Sequence, residues 1–217
     1  MKSRIIHQIF FEVGTKSLED YPLFIENRDK WIVWCKRNDY EYMFHTLEDL
    51  EPIMKQEDKD LFKRVDDEGR FQFIKIDYGR LVILSHYGGV YVDMDVAPKL
   101  DKELDDLLMK YEPFVVVNSS EKTKWKPMYN NWIMGCEKTG MDDFIQYCRD
   151  QYEEKSQKPI YDKWKIRFFS QVCGIPAVKR FYKAQEKKGF IKMTEEINEY
   201  VINSCELSWI NDKDGFK

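Results

Sequence analysis

No apolar run in this chain reaches the roughly 18 to 20 residues that a membrane span requires. The opening stretch, Met1 to Glu12, also lacks a continuous apolar segment followed by a small-residue cleavage site. These absences predict no membrane span and no secretion signal, and hence a cytoplasmic protein. Histidine is scarce, at 3 in 217 residues, and the 5 cysteines (Cys35, Cys136, Cys148, Cys173, Cys205) are scattered and never spaced C-x-x-C. That excludes a zinc module or a disulfide scaffold and predicts reduced thiols. An excess of one charge is missing too: 35 Lys+Arg face 39 Asp+Glu, for a formal net charge of −4. With a sequence pI near 5.6, binding of nucleic acid through bulk charge is excluded. The short cluster Lys122, Lys124 and Lys126 reads as solvated surface. Asn118-Ser119-Ser120 fits a glycosylation sequon but, without a secretion signal, reads as chance. Internal repeats, Pro-rich linkers and low-complexity tracts are absent as well.

What remains is a chain with 43% hydrophobic and 15% aromatic residues, enough for one domain over residues 1–217 with a sizeable core. Strand-like and helix-like segments alternate along it. Arg4 to Phe11 reads as a buried strand, Pro22 to Arg37 as a helix, and Tyr40 to His45 as a second strand. Thr46, with Asp49 three residues on, caps a further helix. Phe71 to Tyr87 has helical spacing, with Ile74, Tyr78, Leu81, Val82 and Ser85 along one side. Helices are also predicted over 101–110, 141–152 and 175–188, and strands over 113–118, 131–135 and 200–202. The pattern predicts an α/β sandwich.

The informative stretch is Gly88-Gly89-Val90-Tyr91-Val92-Asp93-Met94-Asp95-Val96. The glycines can take positive φ and stop the preceding helix. Read as one strand, it points Val90, Val92, Met94 and Val96 one way and Tyr91, Asp93 and Asp95 the other. Two carboxylates beside apolar surface need compensation, and a hard divalent cation with oxygen ligands supplies it. A solitary D-x-D is more often a solvated strand end. Here the apolar setting and the Gly-Gly break favour a ligand site at the end of a buried strand. Asp77 and Arg80 share a face of the helix before it. An ordinary surface pair would look the same, but their position next to the acidic strand predicts a common cleft that takes an anionic or hydroxyl-rich ligand.

Three segments together, Ile5-Ile6-His7-Gln8-Ile9-Phe10, Asp77-x-x-Arg80-x-x-x-Leu84 and the Gly-Gly/D-x-D stretch, resemble the DXD-containing sugar-binding-region glycosyltransferases. That family includes yeast-type Golgi α-mannosyltransferases and the glucosylating domains of large clostridial toxins. The likeness is close over about residues 70–100 and weaker elsewhere. It implies a GT-A fold, a Rossmann-like central mixed sheet flanked by helices. Residues 1–118 would form the nucleotide-sugar and metal half, and 119–217 the acceptor half with a closing C-terminal segment. It also implies Mn²⁺ or Mg²⁺ as cofactor, a nucleotide-sugar donor and a glycan or other hydroxyl acceptor.

By the family pattern Asp95 binds the metal, and Asp93 holds ribose or donor sugar and assists the metal. Asp77 and Arg80 position the hexose. Phe10 stands where the family usually has Trp beside the nucleobase. Tyr91 lies in the same donor-binding stretch, and Asn131 matches an Asn near the donor. Ser208-Trp209 matches a Ser-Trp pair that closes over the diphosphate, although the His that often precedes that pair is missing. Members of the family retain the anomeric configuration. UDP-hexose is the expected donor and GDP-mannose the second choice, while acceptor and oligomeric state are left open. Trp125, Tyr129, Tyr161 and Trp164 are candidates for stacking on acceptor sugars, or for packing.

Two other readings fit parts of the same residues. A haloacid-dehalogenase-type phosphatase would use Asp93 as nucleophile and Asp95 as general acid. However, its motif normally opens the fold, and Lys138 with Asp142-Asp143 lie too close together to complete it. A catalytically silent sugar-nucleotide-binding module would use the same cleft without turnover.

Overall fold

The computed structural model describes residues 3–12, 16–57, 72–110, 113–118, 128–157, 172–186, 192–194 and 196–204. Strand β1 (Ile5–Ile9) is buried on both faces from Ile6 onward. That explains how apolar and polar residues mix in it. Ile6 packs into one core and Ile9 into another, while His7 and Gln8, both fully buried, are tolerated because each has hydrogen-bond partners. Helix α1 (Pro22–Asn38) starts on a proline at its first position and ends at Asp39, whose φ of 58° is left-handed. Strand β2 (Glu41–His45) follows. The expected cap of α2 (Leu47–Glu57) is present, with the Thr46 backbone N–H and hydroxyl both donating to Asp49 Oδ2 at 2.8 Å.

Helix α3 (Gln72–Tyr87) is more central than a one-sided pattern suggests, since Tyr78 and Leu81 through Leu84 are all buried. It stops at Gly88 (φ 72°) and Gly89 (φ 95°), as the sequence predicts. A Cβ on Gly89 would lie 2.5 Å from the Ile5 carbonyl oxygen, so only glycine lets the next strand come alongside β1. The chain continues through β3 (Gly89–Val92), β4 (Val96–Pro98), α4 (Asp105–Lys110), β5 (Phe114–Asn118), β6 (Met128–Cys136) and α5 (Asp142–Ser156). It ends the described part with α6 (Ile175–Glu186), β7 (Lys192–Thr194) and β8 (Val201–Asn203).

The main sheet has the order β2-β1-β3-β6-β5-β7, and β4 pairs with β8 in a separate two-stranded ribbon. Strands β1, β2 and β3 are parallel, and β6 runs antiparallel to both β3 and β5. The carboxyl ends of β1, β2 and β3 therefore share one edge with the early residues of β6. On one face, α2, α3, α5 and α6 pack around Ile9, Met54, Tyr78, Tyr91, Phe144 and Val178. On the other, α1, α4 and the β4–β8 ribbon pack around Ile6, Trp31, Trp34, Val90, Val92 and Val96. The expected mixed α/β sheet flanked by helices is what forms. Cys35, Cys136, Cys148 and Cys173 are buried thiols, and no helix among the described residues is long and apolar enough to cross a membrane.

Beneath the sheet edge, His7 Nε2 lies 2.9 Å from the Gly88 carbonyl, which can only accept, and His7 Nδ1 lies 2.9 Å from His45 Nε2. His7 Nδ1 thus accepts from His45, and both rings are neutral. Burial, aided by the neighbouring His45, lowers the His7 pKa from 6.5 to about 3, and burial lowers that of His45 to about 4. Depressed histidine pKa values contribute stability that is complete above the unfolded pKa and is lost as pH falls. Stability should drop from pH 6.5 downward, by roughly 2 kcal/mol per histidine at pH 5. Urea titrations at pH 7 and pH 5 check this, and replacing His45 by Gln should about halve the fall. An unchanged fall in that variant would assign the acid sensitivity elsewhere.

Candidate active site

The site is built where α3 meets the carboxyl edge of the sheet. One step along β5, from Val115 to Val116, corresponds on β6 to the longer step from Met134 back to Asn130. Asn131, Trp132 and Ile133 therefore have no β5 partner in register, and this bulge re-aims β6. Asn131 turns its side chain to α3, where Nδ2 donates to Asp77 Oδ1 at 2.7 Å. Its carbonyl accepts from Arg80 Nη1, and the next carbonyl, of Trp132, accepts from the Asp93 backbone N–H at 2.8 Å.

Arg80 is the hub. Its side chain is only 7% exposed, with Nη2 3.2 Å from Asp77 Oδ1 and Nη1 3.3 Å from Asp93 Oδ1. Its Nε donates to the Ile76 carbonyl at 3.3 Å, and the guanidinium lies over the Tyr91 ring at 4.7 Å. The Tyr91 hydroxyl donates to Asp93 Oδ1 at 2.5 Å. Burial raises the pKa of Asp77 and of Asp93, and Arg80 opposes that shift in both. Burial works against the charge of Arg80 as well, but chiefly Asp93, with Asp77, outweighs it and its pKa is raised. Burial also pushes the Tyr91 pKa well up, so Tyr91 stays a neutral donor. Two carboxylates share one guanidinium at the edge, where Asp77 and Asp93 keep 20% and 30% side-chain exposure.

The acidic motif differs from the expected continuous strand. Strand β3 ends at Val92, and Val96 N–H donates back to the Asp93 carbonyl at 3.1 Å. Residues 93–95 are thus a tight turn, after which β4 leaves the main sheet to pair with β8. The Asp93 N–H still bonds the Trp132 carbonyl of β6, so the chain leaves the sheet at the turn itself. Strict alternation therefore fails beyond Val92, although Tyr91 and Asp93 do share a side. Asp95, expected on that same strand face, sits instead in the turn and is partly exposed.

The turn's carbonyls are all engaged. That of Asp93 also accepts from Gln8 Nε2 at 3.3 Å, Met94 from Asn27 Nδ2 at 3.1 Å, and Val96 from Trp31 Nε1 at 2.8 Å. That of Asp95 accepts from the Ser204 backbone N–H at 3.1 Å. Sequence inspection did not single out Gln8, Asn27 or Trp31 as site residues. The available signal was polar: Gln8 lies in an otherwise apolar strand, and Asn27 in the middle of a helix on the face of Phe24, Trp31 and Trp34.

Phe10 follows directly on β1 and packs edge-on against Tyr21 and Phe24, with centroids 5.9 and 6.4 Å away. Asp77, Arg80, Tyr91, Asp93 and Asn131 are thus joined in one network, with Asp95 in the adjoining turn and Phe10 at the end of a neighbouring strand. Ser208, Trp209, Trp125, Tyr161, Trp164 and the side chain of Tyr129 lie outside the described residues, as do Lys122, Lys124 and Lys126. Asp142, weighed for a phosphatase, starts α5 and accepts from the Ser85 hydroxyl.

Among the described residues no three His, Cys, Asp or Glu side chains cluster as a complete metal cage. The donor chemistry nonetheless suits a hard cation that takes its other ligands from a diphosphate. Asp93 Oδ1 is occupied by Arg80 and Tyr91, its Oδ2 has no bonded partner among the described residues, and Asp95 is next but one on the same turn.

Residues 18–114 match the family model of the glycosyltransferase sugar-binding region containing the DXD motif. The matched segment holds Asp77, Arg80, Tyr91, Asp93 and Asp95, whereas Phe10 and Asn131 lie outside it. The match and the site together support a glycosyltransferase. Among solved structures, the chain is similar to the PaToxG glycosyltransferase at 14% identity and a TM-score of 0.47, covering 91% of this chain and 83% of that one. It is also similar to a glycosyltransferase involved in the glycosylation of the major capsid of PBCV-1, at 10% identity and a TM-score of 0.38, covering 71% of this chain and 68% of that one. No curated protein matches the sequence.

Proposed function

We propose that this protein is a metal-dependent, retaining hexosyltransferase that moves a hexose from a nucleotide sugar to a hydroxyl of a glycan or similar acceptor. The observation that carries the reading is the buried Arg80, held between Asp77 and Asp93 and bordering an acidic turn at the carboxyl edge of the sheet. A structural ion pair needs one carboxylate; this site gathers two around a single guanidinium and adds Asp95. Asp95 and Oδ2 of Asp93 would hold Mn²⁺ or Mg²⁺. When bound, the ion supplies charge neutralisation for a diphosphate leaving group.

The remaining roles fall to the chain's own groups. Asp77, with one oxygen engaged by Arg80 and Asn131, accepts hydrogen bonds from hexose hydroxyls. Arg80 fixes Asp77 and Asp93 relative to one another and offsets part of their charge. Phe10 stacks beside the nucleobase, and Ser208-Trp209 closes over the diphosphate. With retention, the acceptor hydroxyl attacks on the leaving-group side and passes its proton to the departing phosphate, so no carboxylate base is assigned. Residues 1–118 form the donor half, with Asn131 reaching in from the acceptor half at 119–217. UDP-hexose is the first choice of donor and GDP-mannose the second. The buried thiols fit a reducing, cytoplasmic setting.

The test is a thermal-shift screen of UDP-glucose, UDP-galactose and GDP-mannose, each with and without Mn²⁺, followed by assay of nucleoside diphosphate release. One donor should raise the melting temperature only in the presence of the ion and release its nucleoside diphosphate slowly to water. Absence of any such shift, with phosphate released from a phosphomonoester instead, would transfer the site to phosphatase chemistry.

A further inference from the structure

An asparagine inside a helix is a poor helix former, and burying its amide is costly unless both ends find partners. Asn27 sits six positions into α1, is 1% exposed, and occupies a place where a leucine would pack without that cost. Its Nδ2 donates to the carbonyl of Met94, the one residue between the two aspartates of the acidic turn. One helical turn on, Trp31 Nε1 donates to the carbonyl of Val96, the residue that closes the turn. The helix therefore reaches the turn twice on one face, and does so entirely through backbone acceptors. The peptide planes on either side of Met94 set the directions in which Asp93 and Asp95 leave the chain.

We propose that Asn27 is a positioning residue for the acidic turn: by holding the Met94 carbonyl it fixes the relative directions of the Asp93 and Asp95 side chains, and so the affinity of the pair for a divalent cation. The inference rests on the transferase reading for its ligand, but its geometric half stands apart from it. Gln8, on the Asp93 carbonyl, and the Ser204 backbone, on that of Asp95, hold the turn from two other segments. Asn27 differs from them in gripping the residue midway between the carboxylates. Outer partners that orient ligands typically change metal affinity by roughly 10- to 100-fold when removed.

The experiment compares the full chain with Asn27→Leu, which keeps volume and helix but loses the donor, and Asn27→Ser as a smaller variant should Leu fold poorly. Trp34→Phe is the control, because it removes an indole N–H from the same helix that donates to the Lys102 carbonyl, outside the turn. Free Mn²⁺ is followed by electron paramagnetic resonance as it is titrated into protein with UDP present, and amide hydrogen exchange is measured over residues 93–98 without metal. Asn27→Leu should weaken Mn²⁺ binding roughly ten-fold or more and speed exchange in the turn, while Trp34→Phe leaves both at the wild-type level. Wild-type Mn²⁺ affinity and wild-type exchange in both Asn27 variants would overturn the proposal. Should the wild-type protein bind no Mn²⁺, the transferase reading fails, and the exchange measurement alone decides whether Asn27 holds the turn.

Discussion

Replacing Asp95 with alanine should lower nucleoside diphosphate release on the order of a thousand-fold, the scale at which one electrostatic partner of a developing anion acts, while the protein still folds. The backbone of residue 95 is held by Ser204, and that bond does not involve the carboxylate. Asp95→Asn should fall nearly as far, because the amide keeps the shape and loses the charge. Circular dichroism and a melting curve establish the fold, and the Mn²⁺ dependence of donor hydrolysis gives the activity. A variant retaining more than a tenth of wild-type turnover would remove Asp95 from the ion site. Asp93→Ala should lose comparable activity but also stability, since Asp93 shares Arg80 with Asp77 and accepts from Tyr91.

Arg80→Met should destabilise the protein by about 3 to 5 kcal/mol, as breaking a buried ionic network does, and should abolish turnover. The loss arises from Asp77 and Asp93, left partly buried with no cation between them. Arg80→Lys should recover little, because one ammonium cannot reproduce contacts to Asp77, Asp93, and the carbonyls of Ile76 and Asn131. The pH dependence carries a defined sign. Burial already raises both carboxyl pKa values, so their contribution to stability is full below the unfolded pKa and is lost as pH rises through the folded one. Removing Arg80 takes away the opposing effect. Relative to wild type, Arg80→Met should therefore gain melting temperature between pH 7.5 and 5.5, and denaturant titrations at the two pH values measure it. A penalty that did not change with pH would point to lost packing instead.

Local signals were legible where one segment determines its own shape. The Gly88-Gly89 stop, the Thr46/Asp49 cap and the ends of α1 and α3 follow from φ requirements, capping chemistry and period. Asp77, Arg80, Asp93 and Asn131 are grouped by the family likeness, and contacts of 2.5 to 3.3 Å join them in the structure. What could not be read was set by distant chain. Residues 90–96 look like a single strand because their pattern alternates, but β3 ends at Val92 and residues 93–95 turn so that β4 pairs with β8. Likewise a helix is predicted from residue 101, yet α4 begins at Asp105. Gln8 and Asn27 give no such signal, because an isolated amide has no period or spacing and its purpose appears only with the carbonyl it serves.

The Ser204–Asp95 backbone bond and the β4–β8 ribbon bear on how the protein is made. Residues 5 to 10, 27, 77 to 96, 131 and 204 must all be present before the acidic turn is fully held, so the turn depends on segments far apart in the chain. A nascent chain halted short of residue 204 would carry every carboxylate and the arginine yet lack the final tie. Competence should thus wait until residue 204 has been made and has bonded to Asp95.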